Sequence, residues 1–221
     1  MKKLLSLMVL SMIVLACSKN NYENTEAVET SEIEKIAEAH GIDAFEKIER
    51  LQYTFNVERD STVIVSRTWI WDRTSGEITS MSNEDTTTYT RTSLNEALKN
   101  TDHRFINDKY WLLFPFQLIW DSNMTYTNAG LQNAPISGQQ MTKLTIQYGN
   151  EGGYTPGDAY DLYLDEGWII REWEFRKGGK EGPGSMVTWE DYISVMGIKV
   201  ATNHQNKDGN FRLFFTDIKF D

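Results

Sequence analysis

Only one cysteine, Cys17, occurs among the 221 residues, so no disulfide can form within the chain. The three histidines, His40, His103 and His204, are far apart, with no His-x-x-x-His pair and no cysteine ligand set. No metal or other cofactor is therefore expected. Basic residues are scarce beside acidic ones: 22 Lys and Arg against 32 Asp and Glu give a formal charge of −10. That excess repels phosphate backbones, and no basic stripe offsets it locally, which excludes nucleic acid as a partner. No hydrophobic run reaches the roughly 20 residues that a membrane-crossing helix needs. The longest interior run, Tyr110 to Trp120, is interrupted by Pro115 and Gln117 and reads as core. Gly-x-Ser-x-Gly elbows, phosphate-binding loops, dinucleotide fingerprints and Cys/His nucleophile pairs are also missing, so catalysis has no sequence signature and no catalytic residue is assigned.

What is present begins at the first residues. Lys2 and Lys3 supply a positive start, and Leu4 to Ala16 an apolar stretch of 13 residues. Too short to span a bilayer, it has the length and charge order of an export signal. It ends at Val14-Leu15-Ala16-Cys17, where the chain turns abruptly polar. This string resembles the lipobox of bacterial lipoproteins. The resemblance implies removal of residues 1–16 and acylation of Cys17, palmitate among the acyl groups, with Ser18 compatible with an outer-membrane destination. It also gives the single thiol of an exported chain a reason to exist. Two or three acyl chains anchor stably where one is marginal. Losing Lys2 and Lys3 leaves 20 basic against 32 acidic residues, or −12, so contact with a membrane is expected through lipid rather than through charge.

Residues 17–30 are polar and without period, as a tether would be, and residues 31–221 are expected to form one β-rich domain. Thr30 or Ser31 can cap a helix over Glu32–His40 that presents Ile33, Ile36, Ala37 and His40 on one face and stops at Gly41. A second short helix is expected over Asp43–Arg50. Leu51, Tyr53, Phe55 and Val57 then alternate as one face of a strand, and Thr62–Trp71 continues as another. Two more polar strands are expected at Glu77–Met81 and Asp85–Arg91. Ser93 opens a helical region that runs through Asp102–Asp108 into the Pro115 segment, expected to break near its centre. Residues 121–138 read as a long loop, a candidate lid or rim. Strands follow at Met141–Tyr148, Asp158–Leu164, Trp168–Arg176, Ser185–Trp189, Asp191–Lys199 and Phe211–Phe220, with Asp208-Gly209 as a hairpin turn. The fold class is mostly β within α+β: a single curved antiparallel sheet or incomplete barrel wrapped around helices, without the strand–helix rhythm of a parallel sheet.

Several polar groups invite chemistry. Glu172 and Glu174 share one side of a strand about 6.5–7 Å apart, a spacing that permits glycosidase chemistry. Alternating acids on a solvated sheet face explain them more economically. Asn206, Asp208 and Asn210 depart from calcium-loop spacing and read as a turn. His40 reads as a helix-end or core residue, His103 and His204 as surface residues. The aromatics say more. Simple alternation puts Ile169, Arg171, Trp173 and Phe175 on one side of their strand, with Trp168 and Ile170 opposite. Apolar residues on both faces fit a sheet curved around helices or a cavity and covered behind.

The strings Ala39-His40-Gly41, Phe45-Glu46-Lys47-Ile48, Tyr160-Asp161-Leu162-Tyr163-Leu164-Asp165 and Thr188-Trp189-Glu190-Asp191-Tyr192 resemble a group of envelope lipoproteins from Bacteroidota-type bacteria, a likeness that brings no established activity. More distantly, the order of elements resembles the lipoprotein-carrier fold, in which a half-barrel holds lipids or lipoproteins against helices. The lipid anchor departs from that family's soluble carrier, but with the lipobox, the aromatic strands and the 121–138 connection the resemblance implies a membrane-anchored, non-catalytic envelope protein handling a lipid or acyl chain. Trp69, Trp71, Trp173, Phe175, Phe214 and Phe215 are the candidate wall residues, and Arg171 the candidate head-group contact. A structural or protein-binding lipoprotein with a filled core, and an envelope hydrolase, are the alternatives.

Overall fold

The computed structural model describes residues 30–82, 85–151 and 155–221. The leader, Cys17 and nearly all of the tether lie outside them. Ser31 caps helix α1 (Glu32–His40), with the Glu34 backbone N–H donating to Ser31 Oγ at 3.4 Å and the Ser31 N–H donating to the Glu34 carboxylate at 2.8 Å. This reciprocal pair satisfies two amides that the first turn leaves without helical partners. Ile36, Ala37 and His40 are buried. Gly41 ends the helix at φ 89°, where a Cβ would stand 2.1 Å from the Gly197 carbonyl oxygen, so only glycine fits. Helix α2 is a single turn, Ile42–Phe45.

Strands β1 (Arg50–Arg59), β2 (Thr62–Asp72), β3 (Glu77–Ser82) and β4 (Asp85–Thr90) form an antiparallel meander. After helix α3 (Lys99–Trp120), a second meander runs through β5 (Met124–Asn133), β6 (Gln140–Tyr148), β7 (Ala159–Leu164), β8 (Ile170–Arg176) and β9 (Ser185–Thr188). A hairpin of β10 (Ile193–Val195) and β11 (Ile198–Val200) packs beside α1 and α2. The chain then returns through β12 (Asn203–Gln205) and β13 (Phe211–Phe220), completing a six-stranded sheet in the order β12-β13-β1-β2-β3-β4. Just past β9, Glu190 bridges to Asn203 of β12, its N–H donating to the Asn203 carbonyl at 2.9 Å. That seam aligns the two sheets into an open antiparallel surface around α3, and among the described residues neither sheet closes into a barrel.

Helix α3 is apolar around most of its circumference, as a helix covered on more than one side must be. Phe105, Ile106, Leu112, Leu113 and Phe116 meet the core under the six-stranded sheet, with Leu51, Tyr53, Phe55 and Trp69. Tyr110, Phe114 and Leu118 meet Leu144, Ile146, Leu162 and Trp173 of the other sheet. Half-buried Trp111 and Phe211 touch both cores. The break expected near Pro115 is present as a kink at Leu113 (φ −111°, ψ 16°), beyond which helical structure resumes and runs to Trp120. Pro115 lacks an N–H and its ring crowds the preceding turn, which accounts for a kink two residues before it.

Three expectations differ from the structure: the second helix is the single turn Ile42–Phe45 rather than Asp43–Arg50, since Arg50 already pairs within β1, and the other two concern residues 121–138 and His204. Residues 121–138 are not a long loop: Met124–Asn133 is β5, an edge strand paired with β6 and bulged between Asn128 and Leu131. Nearly every β5 residue is exposed, so no apolar alternation marked it in the sequence. His204 is not at the surface; it is fully buried in β12.

Candidate functional site

An open groove of about 570 Å³ runs between the first half of α3 and strands β7 and β8. Ile106, Tyr110 and Trp111 form the helix wall, with Tyr160, Trp173 and Phe175 facing them from the sheet. Their rings pack as a continuous layer: Trp111 lies 4.6 Å from Trp173, and Tyr160 lies 5.1 Å from both Trp173 and Phe175, centroid to centroid. Trp111 and Phe175 also border a second cavity of about 590 Å³, which reaches the β1–β2 turn at Arg59 and Asp60 and passes Val187 and Phe211. Beneath the first groove, Trp189 lies 5.2 Å from Trp173 and 4.6 Å from His204. His204 Nδ1 sits 3.1 Å from the Thr188 carbonyl, which can only accept, so Nδ1 carries the proton. Burial then pushes its pKa down to about 3. Among the described residues, His204 Nε2 and the indole nitrogens of Trp173 and Trp189 have no hydrogen-bond partner.

At the other side, across the Ile106–Tyr110 ridge, the groove borders a polar recess of about 380 Å³. There the Tyr110 hydroxyl donates to Tyr148 at 2.6 Å, and Tyr148 donates to the Asp121 carboxylate at 2.8 Å. Gln117 Nε2 donates to the same carboxylate at 3.0 Å. Burial pushes the Tyr110 and Tyr148 hydroxyls well above the ordinary phenol range, so they are neutral donors. Lys109 reaches this recess from α3 and is 9% exposed.

The structure separates the candidate wall residues. Trp173 and Phe175 line the groove. Trp69 is fully buried under the six-stranded sheet and donates its indole N–H to Asp108 at 2.8 Å. Phe215 packs beneath it at 5.9 Å from Tyr53. Trp71 is half-buried beside Lys109. Phe214 lies on the outer face with the Arg212 guanidinium 4.2 Å above its ring. Arg171 is also outside: it pairs with Asp165 at 2.7 Å and lies over Tyr192 at 5.5 Å. The reason is a register shift between β7 and β8 at Tyr163/Leu164, which pairs Leu164 with Ile170 and Tyr163 with Glu172. A bulge of one residue reverses the facing of everything beyond it, so Ile170 joins Trp173 in the core and Arg171 faces solvent.

The acidic pair on this strand is also placed differently from the expectation of a solvated face. Glu172 is 3% exposed and accepts the backbone N–H groups of Ile136 and Ser137 at 2.7 and 2.9 Å. Glu174 accepts from Gly184 at 2.6 Å. Both carboxylates pin loops against the back of the sheet, opposite the groove. Nearby Asp161 pairs with Lys143 at 3.0 Å and Arg176 at 2.9 Å. Burial alone would raise its pKa, but the hydrogen bonds from Thr145, Lys143 and Arg176 prevail and hold it low. Asn206 and Asn210 hydrogen-bond each other across the β12–β13 turn. Among the described residues no three metal-ligating side chains gather, and no helix is long and apolar enough to cross a membrane. Sequence reading missed Lys109, Tyr110, Trp111 and Tyr160. Tyr110 and Trp111 stood in the apolar run read as core, and Lys109 just before it; no local signal sets them apart.

No protein-family model matches the chain, and no curated protein matches it. Among solved structures it is similar to a LolA superfamily protein from Nitrosomonas europaea, at 10% identity and a TM-score of 0.47, over 86% of this chain and 93% of that one. A DUF1329 family protein from Desulfovibrio piger is similar at 10% identity and 0.45, over 86% and 92%. The lipoprotein LppX of Mycobacterium tuberculosis gives 7% identity and 0.27, over 83% and 94%.

Proposed function

We propose that this protein is an envelope lipoprotein, anchored through Cys17, that accommodates an apolar ligand such as an acyl chain without catalysis. In this reading residues 1–16 are the removed leader, 17–30 the tether and 31–221 the folded body, held at a membrane, with the outer membrane as the proposed location. The observation that carries the ligand assignment is the open aromatic groove beside α3. Its helix wall, from His103 to Trp111, rises about 12 Å, and the adjoining cavities extend it at both ends. Moving hydrocarbon from water onto these rings contributes about 25 cal/mol per Å² buried, while Tyr hydroxyls and backbone at the rim fix orientation. Trp173 and Phe175 are the proposed sheet-side contacts.

The full-length protein, purified without detergent, should release a defined lipid on solvent extraction, identified by mass spectrometry. Phe175→Asp, at a half-buried groove position, should reduce recovery about tenfold by placing a charge in the apolar path. Arg171→Glu, on the opposite face, should leave it unchanged. Lipid-free wild-type protein that also takes up none when offered would overturn the assignment. A second reading, a protein-binding lipoprotein, draws on β5: this ten-residue edge strand is exposed along its length, with Leu131 at 67%, and an open edge can pair with an added strand.

A further inference from the structure

Lys109 is nine-tenths buried, yet its ammonium has neither a hydrogen bond nor an ion pair among the described residues. It is held instead by ring faces: Trp71 at 5.2 Å, Trp120 at 5.7 Å and Phe105 at 5.9 Å from the nitrogen. Cation–π attraction offsets part of the cost of removing the charge from water, but among the described residues no protein acceptor meets its three N–H donors, which border the open recess. Burial pushes its pKa down to about 8, with Arg91 adding to the depression and Asp121 and Asp102 opposing it. The side chain borders the 380 Å³ recess, where Arg91 is a second cation and Asp121 and Glu151 are the carboxylates. That recess shares Ile106, Tyr110 and Thr155 with the apolar groove, so one extended molecule can occupy both.

Resting on the apolar-ligand reading of the groove, we propose that the ligand is an amphiphile with an anionic head group, carboxylate or phosphate, and that Lys109 receives that head. The chain lies against Tyr160, Trp173 and Phe175, crosses the Ile106–Tyr110 ridge, and places its oxyanion on the caged ammonium. The neighbouring carboxylates leave the recess without a broad positive field. A free small anion therefore gains little there, whereas one carried in by a buried chain gains a full charge-assisted contact.

Calorimetric titration of the full-length protein at pH 7 with dodecanoate, dodecanol and acetate tests this. Dodecanoate should bind about tenfold tighter than dodecanol, the fold-change of one charge-assisted hydrogen bond, and acetate alone should not bind measurably. Lys109→Met should bring dodecanoate to the affinity of dodecanol and leave dodecanol itself unchanged, which also reports that the variant is folded. Equal affinities in the wild type, or equal weakening of both ligands in Lys109→Met, would overturn the head-group assignment while leaving the groove intact. Acetate binding as tightly as dodecanoate would make the recess a site for free oxyanions and overturn it too. If neither amphiphile binds, the groove reading itself fails and takes this inference with it.

Discussion

His40 and His204 are both fully buried, and burial is the main reason their pKa values fall to about 4 and about 3 from an ordinary 6.5. Each donates through Nδ1 to a carbonyl, Ile36 at 2.7 Å for His40 and Thr188 for His204, which suits the neutral ring. Between pH 6.5 and 4 the unfolded chain therefore binds more protons at these sites than the folded chain does. Stability is full above pH 6.5 and falls as the pH drops, at up to about 1.4 kcal/mol per pH unit for each ring. Urea unfolding followed from pH 7.5 to 4.5 should show this decline, and His204→Phe should flatten it by about half. An unchanged slope in the variant would mean that His204 is protonated in the folded state. His204 read as a surface residue because its sequence neighbours are polar. It is buried because β12 is the seam strand between the sheets, a fact of long-range pairing.

At the scale of elements, α3 owes its place to more than apolar contact. Asp108 lies fully buried on its six-stranded-sheet side, where Arg67 of β2 donates to both carboxylate oxygens at 2.8 Å and Trp69 donates its indole N–H. Burial raises the Asp108 pKa, and the Arg67 hydrogen bonds and charge pull it down without cancelling that rise. Removing the carboxylate leaves a mostly buried guanidinium and a buried indole N–H without an acceptor. Asp108→Ala should therefore cost about 3–5 kcal/mol of unfolding free energy in urea denaturation, with Asp108→Asn, which keeps one acceptor, losing less. A loss below about 1 kcal/mol for the alanine variant would show that water replaces the lost partner. The helix was legible in sequence as an apolar run from Tyr110, but its full extent was not. Its start at Lys99 is polar and follows a 3₁₀ turn, Glu96–Leu98, that Asn95 rather than Ser93 caps, whereas the break that Pro115 argued for is present as the kink at Leu113.

For the whole molecule, the anchor and the groove make a joint expectation. Were the protein held at a membrane by acylated Cys17, as proposed, a tether of 14 residues, which spans at most about 50 Å, would keep the groove within reach of a membrane-derived ligand. Metabolic labelling with palmitate should mark the wild-type protein, and Cys17→Ala should abolish the label; equal labelling of the variant would refute the anchor. The sequence alone carries the case for Cys17, because the string Val14-Leu15-Ala16-Cys17 resembles a lipobox, a motif recognised by local sequence that needs no fold. It also determined most strands and α1, since alternation and capping are properties of neighbouring residues: Leu51, Tyr53 and Phe55 are all buried on one face, and Ser31 caps as expected. Tertiary structure alone decided which side chains meet. The bulge between β7 and β8 turned Arg171 outward and Ile170 inward, the loops behind the sheet buried Glu172 and Glu174, and helix packing brought Lys109 to its aromatic cage. The physical reason is that register and packing are set by partners distant in the chain, and a one-residue shift in pairing reverses every face beyond it without altering the local pattern.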